Sequence, residues 1–302
     1  MFKKILIIGF GMIGCSIAKS LQKQKKPPQI IALDKDPYKL RSRLKKNGLN
    51  KIISTGSITF ADDSLYNVDL IIICTPILQY EKIFEKIERS IDNRRIIVTD
   101  VGSTKSNIEK LYLNGGYTFR FVPSHPIAGI EKSGLEHGSD NLFQNRYNII
   151  CPIKNSNKAD IKKISNFWKK LSMKIEFMSA RQHDNVMSLT SHLPHLISYS
   201  LVLTALKKEK SLKSKLVKFS AGGFRDFTRV AGSDPEMWRD IFLANNKEIQ
   251  KLTNKFIKEL QTFSNNLESK NSIKLLEKLK KTKKVRERIV KARQAGKFIP
   301  ND

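Results

Sequence analysis

The sequence predicts an α/β protein, a doubly wound parallel sheet followed by an all-helical domain. Three observations carry this. Short apolar runs alternate with amphipathic helical stretches through the first half of the chain. The first run, KILII at 4–8, stops at a glycine-rich GFGMIG turn that opens a helix. Beyond about residue 180 only helical periodicity remains. The expected division is therefore a dinucleotide-binding domain over 1–180 and a helical domain over 181–302.

In order, the run at 4–8 reads as a buried parallel strand, and a helix follows over 12–24. A second apolar run at 30–33 ends at Asp34, and Asp36-Pro37 opens a basic helix reaching 46. A strand at 69–74 is stopped by Thr75-Pro76. A helix over 77–90, a strand over 95–99 ending in Asp100, a helix over 104–113 and a strand over 119–122 complete the alternation. After Gly138 the pattern weakens: a strand at 147–151, a helix at 159–170 and a strand at 174–178 are expected to extend the same sheet. The helical part is interrupted by loops at 221–223 and 232–235. The tail over 274–293 carries Lys and Arg with apolar residues at helical spacing and reads as a solvated amphipathic helix.

The 302 residues suffice for two domains, each with its own core. With 40% hydrophobic and 28% charged residues the chain is expected to be globular rather than disordered. The formal charge of +28 is spread over the whole length as lysine, which favours solvated helix faces over a nucleic-acid surface. Cys15, Cys74 and Cys151 lie far apart without metal-type spacing, as buried thiols in a reducing cytoplasm would. Lys3 and Lys4 precede an apolar run as in a signal peptide, but Gly9, Gly11 and Gly14 inside it predict a folded domain. No stretch is long enough to cross a bilayer, so neither a membrane nor a nucleic acid is an expected partner.

Gly9-Phe10-Gly11-Met12-Ile13-Gly14 follows a strand and opens a helix, the context in which GxGxxG binds a dinucleotide. Gly9 permits the turn, Gly11 admits the pyrophosphate, and Gly14 lets helix and strand approach. The helix N-terminus, with Met12 and Ile13, faces the phosphates. Asp34, twenty residues past Gly14, is placed to accept from both ribose hydroxyls and to repel a 2′-phosphate, which predicts NAD over NADP; Lys35 beside it works the other way. Thr75 and Pro76, ending the next central strand, are expected at the same cofactor edge. The competing reading is a glycine-rich turn that binds no nucleotide.

Three further segments bear on chemistry. Asp100-Val101-Gly102-Ser103-Thr104-Lys105 and Ser124-His125-Pro126-Ile127-Ala128-Gly129, with Glu131-Lys132-Ser133-Gly134 after it, each follow a strand at the edge where α/β ligands bind. Gly222-Gly223-Phe224-Arg225-Asp226-Phe227-Thr228-Arg229 leads into Ser233-Asp234-Pro235-Glu236-Met237-Trp238, and Ser191-His192-Leu193-Pro194-His195 lies between. In this combination and order the chain resembles the prephenate dehydrogenase family, which includes the arogenate and cyclohexadienyl dehydrogenases. The resemblance runs from Gly9 to the helices after Trp238 and shows no departure at the motif positions. Neither a chorismate mutase domain nor an ACT-type regulatory domain is expected beside it.

The resemblance implies a helical dimerisation domain, a homodimer, NAD as cofactor and a small anionic cyclohexadienyl substrate, prephenate or arogenate. It implies that His125 accepts the proton of the ring 4-hydroxyl as hydride leaves that carbon, and that loss of the ring carboxylate as CO₂ then aromatises the ring. A neutral imidazole is required for that step. Ser103 is implied to orient His125 and the nicotinamide; a plain helix N-cap is the other reading. Arg229 is implied to hold a carboxylate by its guanidinium fork, with Asp226 bracing it, against the alternative of a surface ion pair. Glu131 matches a family position at the substrate entrance. His195 is expected to touch substrate and His192 to be structural; the pair suggests metal binding in principle, but no third ligand stands at metal spacing. Trp238 is open between core packing and a wall of the site. The alternative of another class is a cofactor-sensing or nucleic-acid-binding protein that retains the dinucleotide fold, which has no use for His125 beside Ser103 and Arg229.

Overall fold

The computed structural model describes residues 2–56, 67–90, 96–154, 156–212 and 216–291. Residue 95 of one expected strand and residues 292–293 of the expected tail lie outside them. By its contacts the chain forms two units, Met1–Asn246 and Lys247–Asp302.

The first unit opens with β1 (Lys4–Ile8), α1 (Met12–Gln22), β2 (Gln29–Leu33), α2 (Pro37–Lys46), β3 (Ile53–Thr55) and β4 (Leu70–Ile73). A 3₁₀ turn at Ile77–Gln79 leads into α3 (Tyr80–Ser90), then β5 (Ile97–Asp100), α4 (Ser106–Asn114) and β6 (Arg120–Val122). These strands form one parallel sheet in the order β3-β2-β1-β4-β5-β6. Because the strands are buried on both faces, alternate residues feed two cores. Ile5, Ile7, Ile30, Ala32, Leu70 and Ile72 pack with α1 and α2 on one face. Leu6, Ile8, Ile31, Ile71 and Ile73 pack with α3 and α4 on the other. Helix α3 shows why it folds: Tyr80, Ile83, Phe84 and Ile87 recur at i, i+3, i+4 and i+7 and are all buried. Asp36 caps α2 by accepting from the Lys39 amide, with Pro37 in the first turn.

The chain then leaves this sheet. Strand β7 (Ser124–Pro126) pairs antiparallel with β8 (Tyr147–Ile150), and β9 (Lys174–Phe177) runs parallel to β8 after α5 (Lys158–Lys170). The strands at 147–151 and 174–178 therefore build a second, three-stranded sheet instead of extending the first. The break falls at Pro123, which lacks the N–H that would continue the ladder beyond β6 and whose carbonyl accepts from Cys151. Strand β3, three residues long at the sheet edge, carries no apolar run that would have announced it.

Helix α6 (Ala180–Met187), a π-helical turn at Ser188–His192 and α7 (Leu193–Leu212) form one continuous run, followed by α8 (Gly222–Ala231) and α9 (Pro235–Ala244). The glycines at 222 and 223, expected in a loop, form the first turn of α8. The loop after Gly232 ends where Asp234 caps α9 through the Met237 amide. In the second unit α10 (Asn246–Glu268, entered from the first unit's last residue) and α11 (Ser272–Lys291) meet through Lys278, which pairs with Glu259 and lies over the Phe263 ring. Their Ile257, Leu260, Leu267, Leu276 and Leu279 side chains are exposed. Among the described residues no helix is long and apolar enough to cross a membrane.

Candidate functional site

The strand order reverses between β1 and β4, so the crevice at their carboxyl ends is the expected ligand position of an open α/β sheet. Gly9 stands there at φ +88°, its N–H bonded to the Leu33 carbonyl. A Cβ on it would lie 2.7 Å from Thr75 Cγ2 and 2.9 Å from the Cys74 carbonyl carbon. A Cβ on Gly14 would meet the Gly9 oxygen at 2.6 Å, which is the close helix–strand packing the motif predicts. Gly11, by contrast, faces open space, and α1 has no side-chain cap and no acidic residue in its first turn. Its N-terminal amides are thus free to meet phosphate. Met12 and Ile13 are half-buried in that first turn, and the Met12 methyl would lie 4.0 Å from a Cβ placed on Gly129. Asp34 ends β2 half-buried with its carboxylate on the Lys35 amide. Thr75 Oγ1 is buried with no partner, and Pro76 is exposed beside it. These residues fit a dinucleotide.

One strand further along, Asp100 ties two sheets together. Its Oδ2 accepts from Tyr80 (3.1 Å), from the Gly102 amide (2.9 Å) and from Lys105 Nζ, and its Oδ1 accepts from the Ser124 amide (3.0 Å). Lys105 and Asp100 are both wholly inaccessible. A buried pair of this kind is tolerable because neither charge lacks hydrogen bonds; removing one partner typically costs about 3–5 kcal/mol. Ser124 Oγ bonds the Asp100 carbonyl at 2.7 Å and accepts from Trp168 Nε1 at 3.1 Å. The start of β7 is therefore rigid, and the next residue is His125.

His125 is half-buried, with Nδ1 2.8 Å from His183 Nε2. His183 Nδ1 lies 2.8 Å from Asp184 Oδ1. Burial holds the His125 pKa well below the ordinary histidine value, reinforced by His183, Lys105 and His192, so the ring is neutral at neutral pH. Burial lowers His183 as well, against the raising effect of its bond to Asp184. Burial works to raise Asp184, but its hydrogen bonds from His183 and Ser106 hold it below the usual carboxylate value.

The side chain hydrogen-bonded to His125 is thus His183. Ser103 Oγ makes no hydrogen bond to it, and the residue capping α4 is Lys105, so the N-cap reading of Ser103 is also set aside. His192 closes the π-helical turn, fully buried, with Nδ1 accepting from Asn245 (3.2 Å). Burial lowers it to about 4. His195, one element later, donates from Nδ1 to the Ser191 carbonyl (2.9 Å) and stacks on Trp238 at 3.5 Å between ring centroids. Trp238 packs with Ile77 and Ile241, so it is core on one side while its face carries His195. Arg229 pairs with Glu131 and lies 3.8 Å from Asp226, all three at the surface side of α8. The structure therefore brings together two groups, His125–His183–Asp184 and Arg229–Glu131–Asp226. Sequence reasoning missed His183, Asp184, Asn245 and the inward Lys105; the adjacent His-Asp pair on a predicted helix was the one visible signal.

Known proteins resemble this chain over nearly its whole length. Residues 17–177 match the family description "Prephenate dehydrogenase, nucleotide-binding domain", and residues 179–281 match "Prephenate dehydrogenase, dimerization domain". A cyclohexadienyl dehydrogenase from Zymomonas mobilis is 32% identical over 94% of this chain and 95% of its own. A prephenate dehydrogenase from Bacillus subtilis is 32% identical over 94% of this chain and 75% of its own. The crystal structure of prephenate dehydrogenase from A. aeolicus, in complex with hydroxyphenyl propionate and NAD+, superposes with a TM-score of 0.87 at 34% identity, covering 96% of this chain and 99% of that one.

Proposed function

The chain belongs to the prephenate dehydrogenase family, and on that premise we propose that His125 is the base of its dehydrogenation and Arg229 its carboxylate anchor. The enzyme is an NAD-dependent dehydrogenase that oxidises and decarboxylates prephenate or arogenate, giving 4-hydroxyphenylpyruvate or tyrosine, in tyrosine biosynthesis. When bound, NAD⁺ supplies the hydride acceptor. The turn from Gly9 to Gly14, with Gly11, Met12 and Ile13 at the start of α1, would hold its pyrophosphate, and Asp34 its adenosine ribose. Thr75 and Pro76 would flank it, and Ser103 would face the nicotinamide.

Neutral His125 takes the proton of the substrate's 4-hydroxyl as that carbon becomes a carbonyl. When CO₂ departs, the electron pair it leaves aromatises the ring, and the carbonyl oxygen becomes a phenolate that takes the proton back. Arg229 holds a substrate carboxylate, which must displace Glu131 and Asp226. That exchange is inexpensive because exposed ion pairs contribute only about 0–1 kcal/mol. His195 and Trp238 form the adjoining wall. The observation that carries the assignment is His125 itself, held neutral at the sheet's carboxyl edge by burial. Incubating the protein with NAD⁺ and each acid in parallel should yield NADH with at least one; no NADH with either overturns it.

The working unit is a homodimer, in which the exposed apolar residues of α10 and α11 are covered. The domain division falls near residue 180, and the unpaired thiols suit a cytoplasmic setting. Analytical ultracentrifugation at micromolar concentration should show the dimer and not only monomer.

A further inference from the structure

The base in this reaction is the end of a chain of hydrogen bonds whose direction can be worked out. Asp184 accepts the Lys105 amide on Oδ1 and the Ser106 amide on Oδ2, each at 2.8 Å, at the first turn of α4. A carboxylate gripped by two amides at a helix N-terminus is fixed and ionised. An ionised carboxylate only accepts, so His183 Nδ1, 2.8 Å away, must carry a hydrogen. A neutral imidazole has one N–H, which leaves His183 Nε2 bare. His125 Nδ1, 2.8 Å from that bare nitrogen, must then be the donor. Its own hydrogen is thereby committed, and Nε2 is left as the unprotonated nitrogen.

We propose that His183 and Asp184 are positioning residues that fix His125 in its Nδ1–H tautomer, so that Nε2 is the proton acceptor, and that support the imidazolium formed during turnover. This rests on His125 being the base and extends that reading. The balance of the step gives the support its purpose. The O–H bond breaks, its proton joins Nε2, and the O–H electron pair becomes the second carbonyl bond as hydride leaves the carbon. The phenolate formed after decarboxylation recovers that proton. No proton need leave the site, so the positive charge only has to be borne between the two events. His183 bears part of it through the Nδ1–H bond, backed by the negative Asp184. The other charged or titratable groups nearby are the Lys105–Asp100 pair, which is closed upon itself, the neutral His192 and, on the Asp184 side, Glu109 of α4 and the buried Cys151.

The test uses the full chain and two substitutions. His183→Asn keeps a donor toward Asp184 but removes the acceptor facing His125. His183→Gln offers His125 an amide oxygen where Nε2 stood. ¹⁵N spectra of the imidazole rings, assigned with His125→Asn, should show resting wild-type His125 protonated at Nδ1, and should show that preference lost in His183→Asn. In steady state His183→Asn should lose about ten- to a hundredfold in kcat, with the KM values for substrate and NAD⁺ within about twofold, and His183→Gln should recover part of the loss. A wild-type His125 protonated at Nε2 overturns the proposal, as does a folded His183→Asn with unchanged kcat. Should the wild-type protein give no NADH with either acid, the reading of the reaction fails. The spectrum then still decides the tautomer: Nδ1–H upholds the chain of bonds and Nε2–H overturns it. If His183→Asn does not fold, the wild-type spectrum and His183→Gln decide in the same way.

Discussion

The base and the arginine sit in opposite surroundings. His125 lies on a short strand whose first residue is bonded to Asp100, itself inaccessible and bonded to an inaccessible lysine. Arg229 lies on a helix with no buried residue, its side chain 58% exposed and paired with two carboxylates at the surface. The difference follows from what each group must do. A proton acceptor works only in one geometry and one protonation state, and a low-dielectric, fully bonded setting supplies both. A group that must capture and release a charged ligand is better left where its partners exchange at little cost.

The sharpest way to break this comparison is to exchange kinetic roles. General-base removal typically costs about 10²–10⁴-fold, so His125→Asn should lower kcat by that order while NAD⁺ affinity stays near wild type. An unchanged kcat would remove His125 from the chemistry. The buried side of the comparison also carries a stability signature. His192 is neutral in the fold because burial lowers it to about 4, whereas the unfolded chain holds it near the ordinary 6.5. The unfolded state thus binds more protons in that window, so this stability is present above about pH 6.5 and is lost as pH falls toward 4, by about 3 kcal/mol. Thermal melts across that range should show the loss, and His192→Asn, which keeps an acceptor for Asn245, should show less of it.

On the exposed side, Arg229→Ala should mainly raise KM, on the scale of a charge-assisted hydrogen bond, about 1.5–3 kcal/mol, with kcat much less affected. A kcat loss equal to that of His125→Asn would erase the distinction. The smallest effect concerns the cofactor end. Asp34 should make kcat/KM higher with NAD⁺ than with NADP⁺, and Asp34→Ser should narrow the gap; equal values in the wild-type protein would count against Asp34 as the ribose ligand.

How much of this was readable beforehand depended on the range of the interactions. In the six-stranded sheet β1, β2, β4, β5 and β6, with the glycine turn, were legible because those strands carry short apolar runs and each turn residue acts locally, as Gly9 and Gly14 do, whereas β3 at the edge has no such run. The second sheet was not, because Ser124-His125-Pro126 has no apolar run and its pairing with residues near 149 is set by the break at Pro123. The histidine chain was hidden for the same reason. Residues 125 and 183 are far apart in sequence, and the helix end that holds Asp184 lies 78 residues before it. Lys105 looked like one more surface lysine in a very basic chain, and only the fold turns it inward onto Asp100. Arg229 and Glu131 were each identified from motifs, but their mutual ion pair was not.

That a neutral, half-buried His125 accepts the proton is tested most directly by the pH dependence of kcat/KM, which reports the free enzyme. Since burial and the neighbouring His183, Lys105 and His192 depress His125, the acid limb of the wild-type profile should lie well below the ordinary histidine value of about 6.5. That limb should vanish in His125→Asn. A limb at or above the ordinary value, or one that persists unchanged in His125→Asn, would contradict the account.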